Sequence, residues 1–115
     1  MRRILVTGAL GQIGSELVVA LRQRYGSEAV IASDIRLPPL ETLHPGERFE
    51  FLDSTNARQI QDIVRNGDVG TVYHLAALLS ATSEEKPHVA WELNMGGLYK
   101  VLEVARQHDC KVFFP

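Results

Sequence analysis

Three glycines at fixed spacing constrain this chain more than any other feature. The stretch Ile4-Leu5-Val6-Thr7-Gly8-Ala9-Leu10-Gly11-Gln12-Ile13-Gly14 passes from an apolar strand pattern, through G-x-x-G-x-x-G, into an amphipathic helix pattern. A strand, a glycine turn and a helix N-terminus in succession make an anion site. The amides of a first helical turn have no intrahelical partner, and the helix dipole favours negative charge there. Each glycine has its own task in such a motif: Gly8 allows the tight turn out of the strand, Gly11 lets a pyrophosphate approach the backbone, and Gly14 lets the helix lie close to the sheet. The spacing differs from the G-x-G-x-x-G of the general dinucleotide fingerprint, and a Gly-rich loop can serve as a tight turn and nothing more. Asp34 decides between the two. It closes the second strand pattern 20 residues beyond Gly14, near the offset of the acid that holds an adenosine ribose.

The rest of the chain alternates strand and helix patterns with short connections, which indicates an α/β fold with a parallel sheet covered on both faces. Strands are expected at 3–7, 29–33, 49–52, 71–75 and 111–114. The first helix, 12–25, carries Ile13, Leu17, Val18, Leu21 and Tyr25 at helical spacing and stops at Gly26. Residues 36–47 hold Pro38, Pro39, Pro45 and Gly46 and read as an irregular surface connection. A second helix, capped by Ser54 or Thr55, runs to about Asn66 with Ile60, Ile63 and Val64 facing the sheet and Gly67 closing it. A third, 87–108, starts on Pro87, which suits a first helical position. Five parallel strands in this succession give a Rossmann-type sheet of order 3-2-1-4-5 with right-handed crossovers. Ligands of such sheets bind outside the carboxyl ends of the strands, where the order reverses. Gly8, Asp34, Asp53 and the Leu75-Ala76-Ala77 turn all lie at those ends.

Composition narrows the partners. The 115 residues make one domain, 1–115, with a net charge of −2 and no run of Lys or Arg, which gives no electrostatic case for nucleic acid. No apolar run approaches the roughly 18 residues of a membrane span. The strand pattern begins by residue 3, leaving no room for a targeting peptide. A single cysteine, Cys110, excludes an intrachain disulfide and suits the cytoplasm. The four histidines and Cys110 show no zinc spacing, so no metal is expected. Helix 87–108 confines its polar residues to a narrow arc, with Leu98, Val101, Leu102 and Ala105 in one apolar stripe and Trp91, Met95 and Tyr99 in another. A helix packed only on a sheet needs an apolar arc of about 100°, so a second partner is expected for this one, either a further helix or another subunit.

At the expected site, the Asp34 carboxylate can accept from both ribose hydroxyls and would repel a 2′-phosphate, which favours NAD over NADP. Arg36 complicates this, since a nearby arginine can accommodate that phosphate, and a capping role for Asp34 is the alternative. Leu52 and Asp53 are placed to meet the adenine, although Asp53 fits a turn or cap equally well. His74 ends an apolar strand and reads as a buried imidazole satisfied by backbone. Asn94, on the apolar side of its helix, reads as a hydrogen-bonded polar anchor.

Taken together, Thr7-Gly8-x-x-Gly11-x-x-Gly14, Asp34, Asp53, His74-Leu75-Ala76-Ala77 and Asn94 resemble the extended short-chain dehydrogenase/reductase family, which includes nucleotide-sugar epimerases and dehydratases. The segments 6–17, 30–35 and 74–81 look like its epimerase-like L-threonine 3-dehydrogenase branch. The resemblance implies NAD as cofactor, with Gly8, Gly11, Gln12, Ile13 and Gly14 along the pyrophosphate, and Asp34, Ile35 and Arg36 at the ribose. Leu52 and Asp53 would meet the adenine; Leu75, Ala76, Ala77 and Asn94 would lie beside the cofactor. It also implies Ser80 at the amino-acid substrate, L-threonine, and helix 87–108 in a dimeric four-helix bundle. The family's chemistry needs a Ser/Thr after the fifth strand and a Tyr-x-x-x-Lys, the tyrosine acting as general acid/base. Tyr25, Tyr73 and Tyr99 are followed four positions on by Ala29, Ala77 and Glu103. The expectation is therefore the cofactor-binding part of such an enzyme, with no catalytic residue of its own and inactive alone, a complementary C-terminal part being its other possible partner. A part of a nucleotide-sugar epimerase or dehydratase, and a non-catalytic NAD-binding module, stand as the alternatives.

Overall fold

The structure is a computed structural model that describes residues 2–76 and 86–115. Five strands, β1 (Arg3–Thr7), β2 (Val30–Asp34), β3 (Arg48–Phe51), β4 (Val69–His74) and β5 (Lys111–Phe113), form one parallel sheet of order β3-β2-β1-β4-β5. Among the described residues three α-helices connect them: α1 (Gln12–Tyr25), α2 (Ala57–Asn66) and α3 (Pro87–Gln107). The expected strand order and fold class hold.

Strand alternation divides the core into two layers. Leu5, Ile31, Leu52, Val69 and Val72 point to one face, where Ile60 and Val64 of α2 and Val101 and Val104 of α3 cover them. Ile4, Val6, Val30 and Ala32 point to the other, under Val18 and Leu21 of α1. β1 lies at the centre, paired with β2 and β4, and is buried on both faces from Ile4 to Thr7. The amino-terminal edge is closed by two arginines. Arg2 donates to the carbonyls of Val69, His108 and Asp109, and Arg3 to those of Glu28 and Gly67, so exposed chain ends of the helical connections find partners there.

Several local expectations need correction. Ser27–Ala29 is a short 3₁₀ turn, so β2 starts at Val30, and the 36–47 connection contains another at Leu40–Thr42. The inward stripe of α1 is Gly14, Val18 and Leu21, so Ile13, one position (about 100°) off that stripe, is 68% exposed, and the terminal Tyr25 is also exposed. Asn56, not Ser54 or Thr55, caps α2: its side chain accepts from the Gln59 amide at 3.2 Å, because Thr55 is already held by Asp53. Gly67 does close α2 as expected, its amide donating to the carbonyls of Ile63 and Arg65 where an added Cβ would meet Ile31 Cδ1 and the Ile63 carbonyl, and Asp68, at φ 50°, makes the left-handed turn that follows. On α3 the buried positions are Ala90, Gly97, Val101, Val104 and Ala105; Trp91, Met95, Tyr99 and also Leu102 are exposed.

Leu5 is fully buried in the central strand. Leu5→Ala is expected to cost about 2–5 kcal/mol, read as a fall in the urea midpoint with the slope unchanged.

Candidate functional site

The carboxyl ends of the strands surround a cleft of about 610 Å³. Its walls include Gly8, Gly11, Asp34, Ile35, Arg36, Leu52, Asp53, Leu75, Ala76 and Asn94, so ten of the singled-out positions, scattered along the sequence, meet in one place. Gln12, Ile13 and Gly14 stand at the start of α1 but do not line it. Ala77 and Ser80 lie outside the described residues. Ser54, Thr55, Leu93 and Gly97 also line it, although the sequence reading placed none of them at the site and gave Ser54 and Thr55 only a capping role. Ser54 and Thr55 follow directly on Asp53 at a strand end, which was the available signal. Gly97 had none: it faces the Ser54 turn, where an added Cβ would stand 3.3 Å from the Ser54 hydroxyl oxygen.

Two glycines fix the shape of the loop between β1 and α1. Gly8 has φ +68°, and a Cβ there would meet the backbone of Leu75 and Ala76 at 2.7 Å. At Gly14 a Cβ would overlap the carbonyl oxygen of Gly8. The helix therefore starts pressed onto the glycine loop, and the loop onto the end of β4. No side chain caps α1, and no acidic residue occupies its first turn. Its amides and its positive dipole end are left for an anion.

Asp34 is buried and holds the loop from the other side. Oδ2 accepts from the Leu10 amide at 3.0 Å, and Oδ1 from the Arg36 amide at 3.0 Å. The Arg36 guanidinium pairs with Oδ1 at 3.4 Å while remaining largely exposed itself. The capping alternative for this acid is thus realised. It does not exhaust the group, since a carboxylate offers about four acceptor positions. Asp53 also makes the turn allowed for it: Oδ1 accepts from the Thr55 hydroxyl at 2.6 Å and the Thr55 amide at 2.9 Å. The Thr55 hydroxyl, then its amide, then the charge on Lys100 hold the Asp53 carboxyl below its ordinary range.

His74 departs from expectation, because its partner is a side chain. The Thr7 hydroxyl lies 2.8 Å from His74 Nδ1, with both residues buried. Thr7 Oγ1 also accepts from the Leu75 amide at 3.1 Å and the Ala76 amide at 3.2 Å. Burial alone lowers the imidazole's proton affinity. Among the described residues no group of three His, Cys, Asp or Glu side chains is placed to hold a metal, and no helix is long and apolar enough to cross a membrane.

Residues 4–115 match the NAD-dependent epimerase/dehydratase family, and the chain belongs to it. An uncharacterized epimerase/dehydratase of Staphylococcus epidermidis is 51% identical over all 115 residues, which correspond to 36% of that protein. Among solved structures, L-threonine dehydrogenase from Clostridium difficile is 50% identical with a TM-score of 0.90, covering 100% of this chain and 36% of that one. UDP-glucose 4-epimerase from Thermotoga maritima is 29% identical with a TM-score of 0.82, covering 97% of this chain and 37% of that one. The chain thus spans about 36% of the length of its relatives. Membership implies a nicotinamide dinucleotide cofactor, and the cleft fits one: its volume is in the range of a small-molecule site, and the helix end beside it lacks a cap.

The sign of the His74 shift gives a pH dependence. Above the ordinary value of 6.5 the imidazole is neutral in both folded and unfolded chains, and its contribution is complete. As pH falls below that, the unfolded chain takes the proton first, so stability declines until the folded value is passed. Thermal melts between pH 8 and pH 5 are expected to fall more steeply for the parent chain than for His74→Asn, which does not titrate; equal slopes would contradict the assignment.

Proposed function

We propose that this chain is the cofactor-binding part of an NAD-dependent oxidoreductase that oxidises the 3-hydroxyl of L-threonine to 2-amino-3-oxobutanoate. The observation that carries the cofactor half of this reading is the convergence of Gly8, Gly11, Asp34 and Asp53 on one cleft beside an uncapped helix. In it, Gly8 and Gly11 leave room for the diphosphate, and the amides of Gln12, Ile13 and Gly14 face its charge. Asp34 takes the adenosine ribose hydroxyls, through the open position on Oδ2 and the position on Oδ1 that the Arg36 guanidinium holds at 3.4 Å, with Ile35 and Arg36 beside them. Leu52, Asp53 and the neighbouring Ser54 and Thr55 enclose the adenine. Leu75, Ala76, Ala77 and Asn94 border the cofactor further along, and Ser80 holds the amino acid. When bound, the nicotinamide accepts the hydride. The domain is 1–115 and works in the cytoplasm.

The substrate rests on likeness to L-threonine dehydrogenase at 50% identity. The 115 residues contain no Tyr-x-x-x-Lys, so we assign no catalytic residue here, and turnover by this chain alone is not expected. Combining it with the C-terminal part of a related L-threonine dehydrogenase, and following absorbance at the NADH band with L-threonine, tests the assignment. Activity on a UDP-sugar instead would favour the epimerase reading, which the 29% identity to UDP-glucose 4-epimerase keeps in view. Dinucleotide binding with no activity in any combination would favour a non-catalytic module.

Asp34→Ala is expected to weaken NAD binding by tenfold or more, about 1.4 kcal/mol, and NADP binding by less, as measured by titration calorimetry. Equal losses would remove the ribose role. Trp91, Met95 and Tyr99 leave an apolar stripe on α3, which we assign to a dimer contact. Light scattering is expected to give a mass near twice 12.8 kDa, and Tyr99→Glu to shift it toward the monomer.

A further inference from the structure

The pairing of Thr7 with His74 has a chemical consequence beyond holding two strands together. A threonine hydroxyl has one proton to donate and two lone pairs. Both lone pairs of Thr7 Oγ1 face amides, those of Leu75 at 3.1 Å and Ala76 at 3.2 Å, and the Leu75 amide is shared with the Thr7 carbonyl oxygen at 3.2 Å. Its proton can then go only to His74 Nδ1, 2.8 Å away. Nδ1 is therefore bare, and the neutral ring carries its hydrogen on Nε2. An imidazolium would point an N–H at an oxygen whose lone pairs are both engaged, and either the Ala76 amide or the Leu75 amide, which would keep its bond to the Thr7 carbonyl, would have to let go of it. Those amides belong to the segment that walls the cleft and lies against Gly8, where an added Cβ would stand 2.7 Å from the Ala76 nitrogen.

We propose that Thr7 and His74 are a positioning pair for the dinucleotide: neutral, Nε2-protonated His74 aims the Thr7 hydroxyl so that Leu75 and Ala76 are held at the cleft, and gain of a proton by His74 loosens that wall and weakens binding. The inference rests on the dinucleotide reading of the cleft. The pair joins β1 to β4 on the face covered by α2 and α3. Among the described residues, the ionisable groups on the surrounding elements are occupied elsewhere or lie outside this contact. Asp34 at the end of β2 is bonded to Leu10 and Arg36, and Asp53 after β3 to Thr55. On α2, Asp62 pairs with Arg65 and Arg58 is exposed; on α3, Lys100 acts on Asp53, Glu103 pairs with Arg106, and His88 and Glu92 are exposed. Burial favours the neutral ring, in the same direction as the Thr7 hydroxyl donated to Nδ1.

The test has two readouts on the full chain. Nitrogen-15 NMR of the histidine ring at pH 8 is expected to show the Nε2–H tautomer at His74; an Nδ1–H tautomer would overturn the proposal without any variant. Calorimetric titration with NAD at pH 8 and pH 5 is expected to show roughly threefold or greater weakening in acid. His74→Asn keeps an acceptor near the Nδ1 position and cannot take a proton, so its own affinity should change less than twofold between the same two pH values. Thr7→Val should bind more weakly than Thr7→Ser at both pH values. An acid-independent parent chain, or a His74→Asn variant with the parent's acid loss, would overturn the positioning role. Absence of NAD binding by the parent at pH 8 would instead refute the dinucleotide reading itself.

Discussion

The close approach of the first glycine loop to the end of β4 is the constraint on which the rest of the site depends. β1 is the only strand here with a neighbour on each side that leads to a different half of the sheet. At its carboxyl end the chain must leave the sheet without filling the gap between β2 and β4. Gly8 does so with a backbone conformation closed to most side chains, in a space where a single methyl would meet the Leu75 and Ala76 backbone. Thr7, one residue earlier, binds the same two residues through its hydroxyl. One residue clears the space and its neighbour fixes the wall. Neither task survives an ordinary apolar residue: valine lacks the hydroxyl, and alanine at Gly8 lacks both the room and the conformation.

Asp34 plays the corresponding part on the opposite rim. A buried carboxylate that satisfied only a ligand would be left without partners whenever the cleft emptied, at the cost of desolvating a charge. Here the protein's own groups, the Leu10 amide in the glycine loop on Oδ2 and the Arg36 amide and guanidinium beyond the strand on Oδ1, engage both oxygens. The acid is thus held in place before any ligand arrives, which reduces the ordering cost of binding. The same bonds tie the loop after β1 to the end of β2, so the structural and ligand-facing readings of this residue are complementary.

What could be read from the sequence follows a physical pattern. The strand order, the glycine turn and the convergence at the carboxyl ends were legible because they rest on hydrophobic period and on glycine spacing, both local signals. β1 and α1 fall on their expected bounds. Contacts made across the fold were not legible. Nothing near His74 in the sequence points to Thr7, 67 residues away, as its partner, and Gly97 faces Ser54 only because α3 crosses the turn after β3. The cap of α2 was missed for a competitive reason: Asp53 claims Thr55 in its own turn, and the role passes to Asn56. Ile13 looked like a core residue because its spacing to Leu17 is helical, but the buried stripe runs through Gly14, where the helix presses on the loop.

The composition of the cleft also accounts for why family members of different activity share this part of the fold. Its polar groups are backbone amides, Asp34 and Arg36 at the end of β2, the hydroxyls around Asp53, and Asn94, and its apolar walls include the small or aliphatic residues Leu52, Leu75, Ala76 and Leu93. Amides at a helix end recognise charge, and a single acid recognises a vicinal diol; neither distinguishes an amino acid from a sugar. A dinucleotide presents the same diphosphate and ribose to every enzyme that uses it, so selection on these residues is the same whatever is oxidised. Discrimination between substrates must then come from side chains that meet the reacting carbon.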